Sequence, residues 1–152
     1  GLTRLTAEQI TAALEEPIKM PLSQTQADTA LQTAVNSYMS KELWSPGDLY
    51  RCVRQFKLYK AYSQAVGFDE VKKERMYNAA TQELDDLIRQ RYEVAWKFER
   101  AQNYRMAKET FESLMREIPP AEVDRGSLID TVLLKDVKQH IIRANTELGK
   151  VR

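Results

Sequence analysis

Apolar residues recur along most of this chain at the three- and four-residue spacing that places them on one face of a helix. No segment alternates apolar and polar residues over the length of a strand, so we predict an all-α fold without a sheet. The helices are expected to number about five or six. The clearest apolar stripe opens after Ser23 and comprises Ala27, Ala30, Leu31, Ala34, Val35 and Tyr38.

Capping residues and glycines mark the expected helix ends. Thr6 and Gln9 have the spacing of a capping box, in which each side chain satisfies a backbone N–H group of the other residue. Ser45, followed by Pro46 at the first helical position, is the expected N-cap of the third helix. Gly67 is the expected stop of that helix.

The segment from Asp69 to Ala101 contains neither glycine nor proline. It is predicted as one helix of about 30 residues or as two helices with a break near Arg89, a length typical of coiled coils and helical repeats. Tyr92 and Trp96 lie one turn apart beside its apolar stripe and are therefore the better functional candidates. The stripe is expected to comprise Tyr77, Ala80, Leu84, Leu87, Arg91, Val94, Ala95 and Phe98.

Composition and charge exclude several classes of protein. The 152 residues are 43% hydrophobic and 30% charged, which is typical of a folded chain rather than a disordered one. A formal net charge of +1 gives no electrostatic argument for a nucleic-acid or anionic-membrane partner. No apolar run approaches the length that crosses a bilayer. Cys52 is the single cysteine, so neither an intrachain disulfide nor a cysteine-based zinc site is possible.

The start of the chain bears on its origin. The first residue is Gly1 rather than methionine, and no signal-peptide pattern follows it. We interpret Gly1 as a cut site or a cloning remnant and expect the chain to be a fragment of a longer protein. A cytoplasmic location is slightly favoured by the single cysteine and the missing signal pattern, although the sequence itself names no compartment.

Residues with catalytic chemistry are sparse and scattered. His140 is the only histidine, and with no second ligand or base at a defined spacing we interpret it as an ordinary surface or boundary residue. Acidic pairs such as Asp85 and Asp86 are interpreted as solvated faces that pair with basic residues one turn away, such as Arg89. No phosphate-binding loop or nucleophile motif occurs. We therefore predict no enzyme activity, no cofactor and no metal.

The third helix carries a basic stripe interleaved with aromatic residues. Such a surface is able to contact a nucleic-acid backbone. Because acidic residues balance the total charge, we favour the interpretation in which the aromatics are core and the basic residues face water. Nucleic-acid binding is the alternative function, and the basic residues that would carry it are Arg51, Arg54, Lys57 and Lys60.

Residues 91–120 resemble one tetratricopeptide repeat, a helix–turn–helix unit of about 34 residues with small residues where its helices touch. Leu114 departs from the pattern, because the family usually has alanine there. A weaker copy lies upstream, at residues 23–66. The resemblance rests on Val94, Ala95, Phe98, Asn103, Tyr104, Ala107, Phe111 and Pro119.

The resemblance implies a short right-handed stack of antiparallel helical hairpins, and an up-down helical bundle is the alternative. Residues 1–152 are expected to form a single helical domain. Within it we predict a weak repeat-like hairpin at 23–66, the long helix with the best repeat-like hairpin at 69–119, and a C-terminal capping helix at 127–149.

The resemblance also implies a non-catalytic protein-interaction or scaffold module, part of a larger bacterial signalling or secretion-associated protein. In this family one face of the first helix lines a concave groove for peptides, so a protein or peptide partner is expected and a homodimer stays open. Tyr92 and Trp96 are expected to be partly exposed there, and Arg89 and Arg100 to favour an acidic or C-terminal carboxylate ligand. The equal alternative for Trp96 is that it packs against a neighbouring helix as a core residue. The candidate partner-binding residues are Arg89, Tyr92, Trp96, Glu99 and Arg100.

Overall fold

The computed structural model describes residues 2–150, which fold into helices with no strand among them. The predicted all-α fold is therefore confirmed, while the stacking of hairpins as repeats stays a prediction. Gly1 lies outside the described residues. The helices are α1 (Ala7–Glu15), α2 (Gln24–Met39), α3 (Asp48–Ser63), α4 (Val71–Arg100), α5 (Tyr104–Arg116) and α6 (Lys135–Gly149).

Shorter helical segments lie between these helices. Lys41–Leu43 and Pro120–Glu122 are single 3₁₀ turns. Ile129–Leu134 is a π-helical segment that leads directly into α6, a change of pitch that the apolar periodicity did not indicate. The predicted last helix is thus present, but its first turn and a half is wound more widely.

The chain divides into two compact units, and α4 contributes to both. The first unit comprises Gly1–Glu16 with Asp85–Arg152, and the second comprises Pro17–Leu84. Because α4 runs without interruption from Val71 to Arg100, the break considered near Arg89 does not occur.

In the second unit, α2 and α3 pack against each other as an antiparallel pair. The backbone N–H of Ser23, before α2, donates to the carbonyl of Tyr62 near the end of α3, at 2.9 Å. Phe56 is fully buried and meets the rings of Phe68 and Tyr77 edge-on, with centroids 5.9 and 5.7 Å away. The alanine stripe of α2 is buried as predicted, at Ala27, Ala30 and Ala34.

The capping box at Thr6 and Gln9 is confirmed, but the predicted ends of α3 are wrong. Gly47 has a φ of 97°, and the Ser45 carbonyl accepts the Asp48 N–H at 3.0 Å, so the Pro–Gly pair forms a tight turn instead of a first helical turn. At the other end, Gln64 with a φ of 55° ends α3 before the chain reaches Gly67.

In the first unit, α5 packs on α6, and α1 packs on the π-helical segment. The part of α4 that belongs to this unit buries Ile88, Tyr92, Ala95 and Glu99, which follow each other at intervals of three or four residues. Val94, which the predicted stripe placed in the core, is 40% exposed. The predicted apolar stripe is therefore wrong in this part of α4, where the buried face of the helix runs through Tyr92 instead.

The corner between α4 and α5 holds the end of α4 in a fixed geometry. Gln102 is left-handed, with a φ of 62°, and its N–H donates to the Glu99 carbonyl at 2.9 Å. The Asn103 N–H donates to the Phe98 carbonyl, also at 2.9 Å. This is the pair of bonds of a Schellman motif, whose left-handed position is most often glycine. The motif positions Arg100 at the last turn of α4.

A glycine at position 102 is expected to stabilise the first unit by about 0.5–1 kcal/mol, because an L-residue is strained in the left-handed region. Urea unfolding of Gln102→Gly measures the gain. Gln90→Gly, at an exposed position inside α4, is the matched control and should cost about 1 kcal/mol. A loss of stability in Gln102→Gly would contradict the assignment of strain to this turn.

Candidate functional site

A buried polar cluster connects α4 and α6 in the first unit. His140 has no exposed surface and lies between two carboxylates. Its Nδ1 is 2.8 and 3.0 Å from the two carboxylate oxygens of Glu99, and its Nε2 is 3.5 Å from Oδ2 of Asp136. The ring of Phe111 stacks on the imidazole, with centroids 5.0 Å apart and an interplanar angle of 20°.

Tyr92 extends this cluster towards the N-terminal segment. Its hydroxyl donates to Oδ2 of Asp136 at 2.6 Å and accepts the backbone N–H of Leu5 at 3.0 Å. Burial and the bond to Asp136 together raise the pKa of Tyr92, so the phenol stays protonated and keeps donating. These two hydrogen bonds thus connect α4 with α6 and with the N-terminal segment before α1.

Two effects on the His140 pKa oppose each other. Burial disfavours the imidazolium and lowers the pKa, whereas the nearby Asp136 carboxylate, the hydrogen bond to Glu99 and the negative charges of both residues raise it. The result is a pKa above the ordinary 6.5. The charged form is therefore more favoured than it is for an ordinary histidine, and in that form the imidazolium compensates the two carboxylates around it.

The structure corrects two expectations at this cluster. His140 was predicted to be a surface or boundary residue, but it is buried because it lies one turn from Val137 and from Ala144 on the inward face of α6. Tyr92 was predicted to be partly exposed on a groove, but it is only 1% exposed. The apolar periodicity of α6 contained the signal for His140, whereas its partner Glu99 lies far away in the sequence.

A groove of about 320 Å³ opens at the end of α4, beside this cluster. Trp96, which is partly buried, forms one wall of it. The guanidinium carbons of Arg4 and Arg100 lie 4.3 and 5.0 Å from the centroid of the indole ring. We name this surface the arginine groove, and its lining residues are Leu2, Arg4, Trp96, Glu99, Arg100, Gln102, Tyr104 and Arg143.

Of the three arginines that line the arginine groove, only Arg4 has an ion-pair partner within residues 2–150. Arg4 forms an ion pair with Glu93, one turn before Trp96. Within residues 2–150, neither Arg100 nor Arg143 has a carboxylate within ion-pair distance. Glu99 lines the groove but binds His140 through both of its carboxylate oxygens. The groove therefore presents two guanidinium groups that no carboxylate within residues 2–150 neutralises.

The five predicted partner-binding residues do not form one surface. Trp96, Glu99 and Arg100 line the arginine groove. Arg89 forms an ion pair with Asp85 at 2.9 Å and lines a second groove, of about 430 Å³, together with Tyr92. A role of these five residues in partner binding stays a prediction.

Two arginines of the groove were not among the predicted partner-binding residues. Arg4 precedes the first helix and reaches Trp96 only through the fold, and Arg143 lies on α6. Neither belongs to a motif or to the long helix, so no local pattern indicated them. Only the contacts between distant segments bring Arg4, Arg100 and Arg143 to one place.

The basic stripe of α3 is partly engaged within its own unit. Arg51 pairs with Asp48 at 2.9 Å, and the Lys60 ammonium lies 5.1 Å from the ring centroid of Tyr77. Phe56 and Tyr59 are buried, so these aromatics are core, as the favoured interpretation predicted. These contacts give the nucleic-acid alternative no support.

Three further observations concern metal sites, membrane spans and similar proteins. In the described part of the chain, no group of three histidine, cysteine or acidic residues is placed to hold a metal ion. None of the helices within residues 2–150 combines the length and apolar character that a bilayer crossing requires. Comparisons with protein-family models, curated proteins and solved structures found no match to this chain. Function must therefore be argued from the site itself.

Proposed function

We propose that this chain is a non-catalytic protein-interaction module that binds a segment of a partner protein in the arginine groove. The observation that carries the proposal is the pair of uncompensated guanidinium groups, Arg100 and Arg143, beside the partly buried Trp96. Arginine and tryptophan are the residues most enriched among those that dominate binding energy at protein interfaces.

The groove is built to be rigid, which favours recognition. The Schellman motif at Gln102 fixes the last turn of α4, and Trp96 gives Arg4 and Arg100 a flat surface to stack on. Side chains that are already ordered lose less conformational entropy when a ligand binds. Trp96 thus acts as a positioning residue for the guanidinium groups, in addition to the groove position that the sequence predicted for it.

The buried cluster supports the groove and does not face the ligand. His140 has no exposed surface, and Tyr92 is almost fully buried, so neither side chain is accessible for proton transfer to a bound molecule. Glu99 joins the two features, because the residue lines the groove and its carboxylate binds His140. A supporting role of this kind fits a binding module better than a catalyst.

A peptide-display selection against the protein tests the proposal. Peptides recovered from a random library are titrated against Trp96 emission in a Trp44→Phe background, which leaves Trp96 as the only tryptophan. Arg100→Gln and Arg143→Gln are each expected to weaken the selected peptides about tenfold or more, because each loses a charge-assisted hydrogen bond. Arg116→Gln, an exposed arginine on α5 outside the groove, is the matched control and should bind as the parent does.

The outcome is decisive in either direction. Peptides that bind the parent, the groove variants and the control equally would place the interaction elsewhere and refute the groove. Failure of every selected peptide to bind below millimolar concentration, in phosphorylated as well as in unmodified form, would refute the module itself.

A further inference from the structure

We propose that the group recognised in the arginine groove is a phosphomonoester dianion, carried by a phosphorylated side chain of the partner protein. This inference rests on the proposed function, since it names the chemistry that the bound segment must carry. It follows from the charges and the hydrogen-bond donors of the residues that line the groove.

The positive charge of the groove matches the charge of a phosphomonoester better than that of a carboxylate. Arg100 and Arg143 have no carboxylate partner among the residues that the structure describes, so the groove holds two uncompensated positive charges. A phosphorylated side chain carries a charge of about −1.5 to −2 at neutral pH, whereas a single carboxylate carries about −1. A phosphomonoester therefore compensates both guanidinium groups, and one carboxylate leaves one of them unpaired.

The guanidinium groups of the groove and the oxygens of a phosphomonoester also match in their hydrogen-bond donors and acceptors. A guanidinium group offers its N–H donors in a planar fork that fits two oxygens of one phosphate. A phosphomonoester presents three strongly accepting oxygens, enough for two guanidinium groups to bind side by side. Tyr104, partly buried in the same groove, adds a hydroxyl to its lining.

Glu99 is the acidic residue in the lining of the groove. An anion would be repelled by Glu99 if that carboxylate were free. Both of its oxygens instead lie within 3.0 Å of Nδ1 of His140, whose raised pKa favours the imidazolium more than in an ordinary histidine. The negative charge of Glu99 is thus directed away from the groove and towards the buried imidazolium.

A pair of small probes with the same ring tests the anion preference directly. Phenyl phosphate and benzoate are titrated at pH 7.5, where the phosphate is a dianion, and the Nε–Hε signals of the arginines are followed by NMR. We expect phenyl phosphate to bind about tenfold or more tightly than benzoate and to shift the signals of Arg100 and Arg143. Arg143→Gln should lose that binding, while Arg116→Gln should keep it.

A peptide arm connects the anion to a protein partner. A peptide that binds the groove is synthesised with phosphoserine, glutamate or serine at one position, and the three forms are compared. The phosphoserine form is expected to bind about tenfold more tightly than the glutamate form. Arg100→Gln should remove this difference, and the control Arg116→Gln should preserve it.

Each contrary outcome has a distinct meaning. Equal binding of the phosphoserine and glutamate peptides, or of benzoate and phenyl phosphate, would make the groove a carboxylate site, which overturns this inference and leaves the proposed function intact. Phenyl phosphate binding that survives in Arg143→Gln would overturn the assignment to these residues. A generic single-stranded oligonucleotide that displaces the phosphopeptide with higher affinity would refute both the inference and the proposed function.

Discussion

Replacing His140 by alanine is expected to destabilise the first unit by about 3–5 kcal/mol, the cost of removing one partner from a buried ionic group. Without the imidazole, Glu99 and Asp136 lose the partner that lies between them in a largely buried place. The substitution also removes the ring that stacks on Phe111. The first loss acts on the contact between α4 and α6, and the second acts on the contact between α5 and α6.

The two tryptophans allow the effect to be assigned to one unit. Trp44 lies in the second unit and Trp96 in the first, so variants that retain only one of them report on one unit each. In urea, His140→Ala should lower the midpoint of the Trp96 transition and affect the Trp44 transition much less. Gln139→Ala, at an exposed position next to His140, is the control and should change neither midpoint noticeably. A shift as small as that of the control would show that the cluster is not a source of stability.

The same histidine makes the stability of the first unit decrease as the pH rises above about 6.5. Its folded pKa is raised above the unfolded value of about 6.5, so its stabilising contribution is complete below pH 6.5 and is lost as the pH rises through the folded pKa. His140 is the only histidine, so no other side chain of ordinary pKa titrates just above pH 6.5. Burial raises the pKa of the Cys52 thiol from 9.0 to about 11, and its own loss of stability therefore begins only above pH 9.

Urea unfolding between pH 6.5 and pH 8.5 therefore isolates the histidine. The parent is expected to lose stability across this range, whereas His140→Ala should show a nearly flat profile. A parent whose stability is constant or rises with pH would mean that the folded pKa of His140 is not raised.

Local signals explain what the sequence could predict. The helices, the capping box at Thr6 and the buried alanine stripe of α2 depend on residues within one or two turns of each other, and the pattern contains that information. The turn at Ser45 is also local, but its sequence fits both the start of a helix and a tight turn. Pro46 suits a first helical position and also a tight turn, and Gly47 after it decided for the turn.

Contacts between distant segments explain what the sequence could not predict. The candidate site combines Arg4, Trp96 and Arg143, which lie on three segments far apart in the chain. The course of the buried face along α4 depends on the neighbours of that helix, and these are set by the tertiary fold. The polar partner of His140 is Glu99, and a single sequence contains no sign of that pairing.

The contrast between Tyr92 and Val94 gives the sharpest test of the buried face of α4. The sequence stripe placed Val94 in the core and Tyr92 beside a groove, while the structure has Tyr92 1% exposed and Val94 40% exposed. Tyr92→Ala is therefore expected to cost about 3–5 kcal/mol, as a large buried aromatic does. Val94→Ala should change stability by less than about 0.5 kcal/mol.

The hydroxyl of Tyr92 can be separated from its ring by a second substitution. Tyr92→Phe keeps the ring next to Phe111 but leaves Asp136 without a donor and the Leu5 N–H without an acceptor, at a cost of about 1–3 kcal/mol. Urea unfolding followed by Trp96 emission measures all three variants in the Trp44→Phe background. The expected order of destabilisation is Tyr92→Ala, then Tyr92→Phe, then Val94→Ala. If Val94→Ala proved the most damaging, the face of α4 in the sequence prediction would be correct, and Tyr92 would return to the surface as a binding residue.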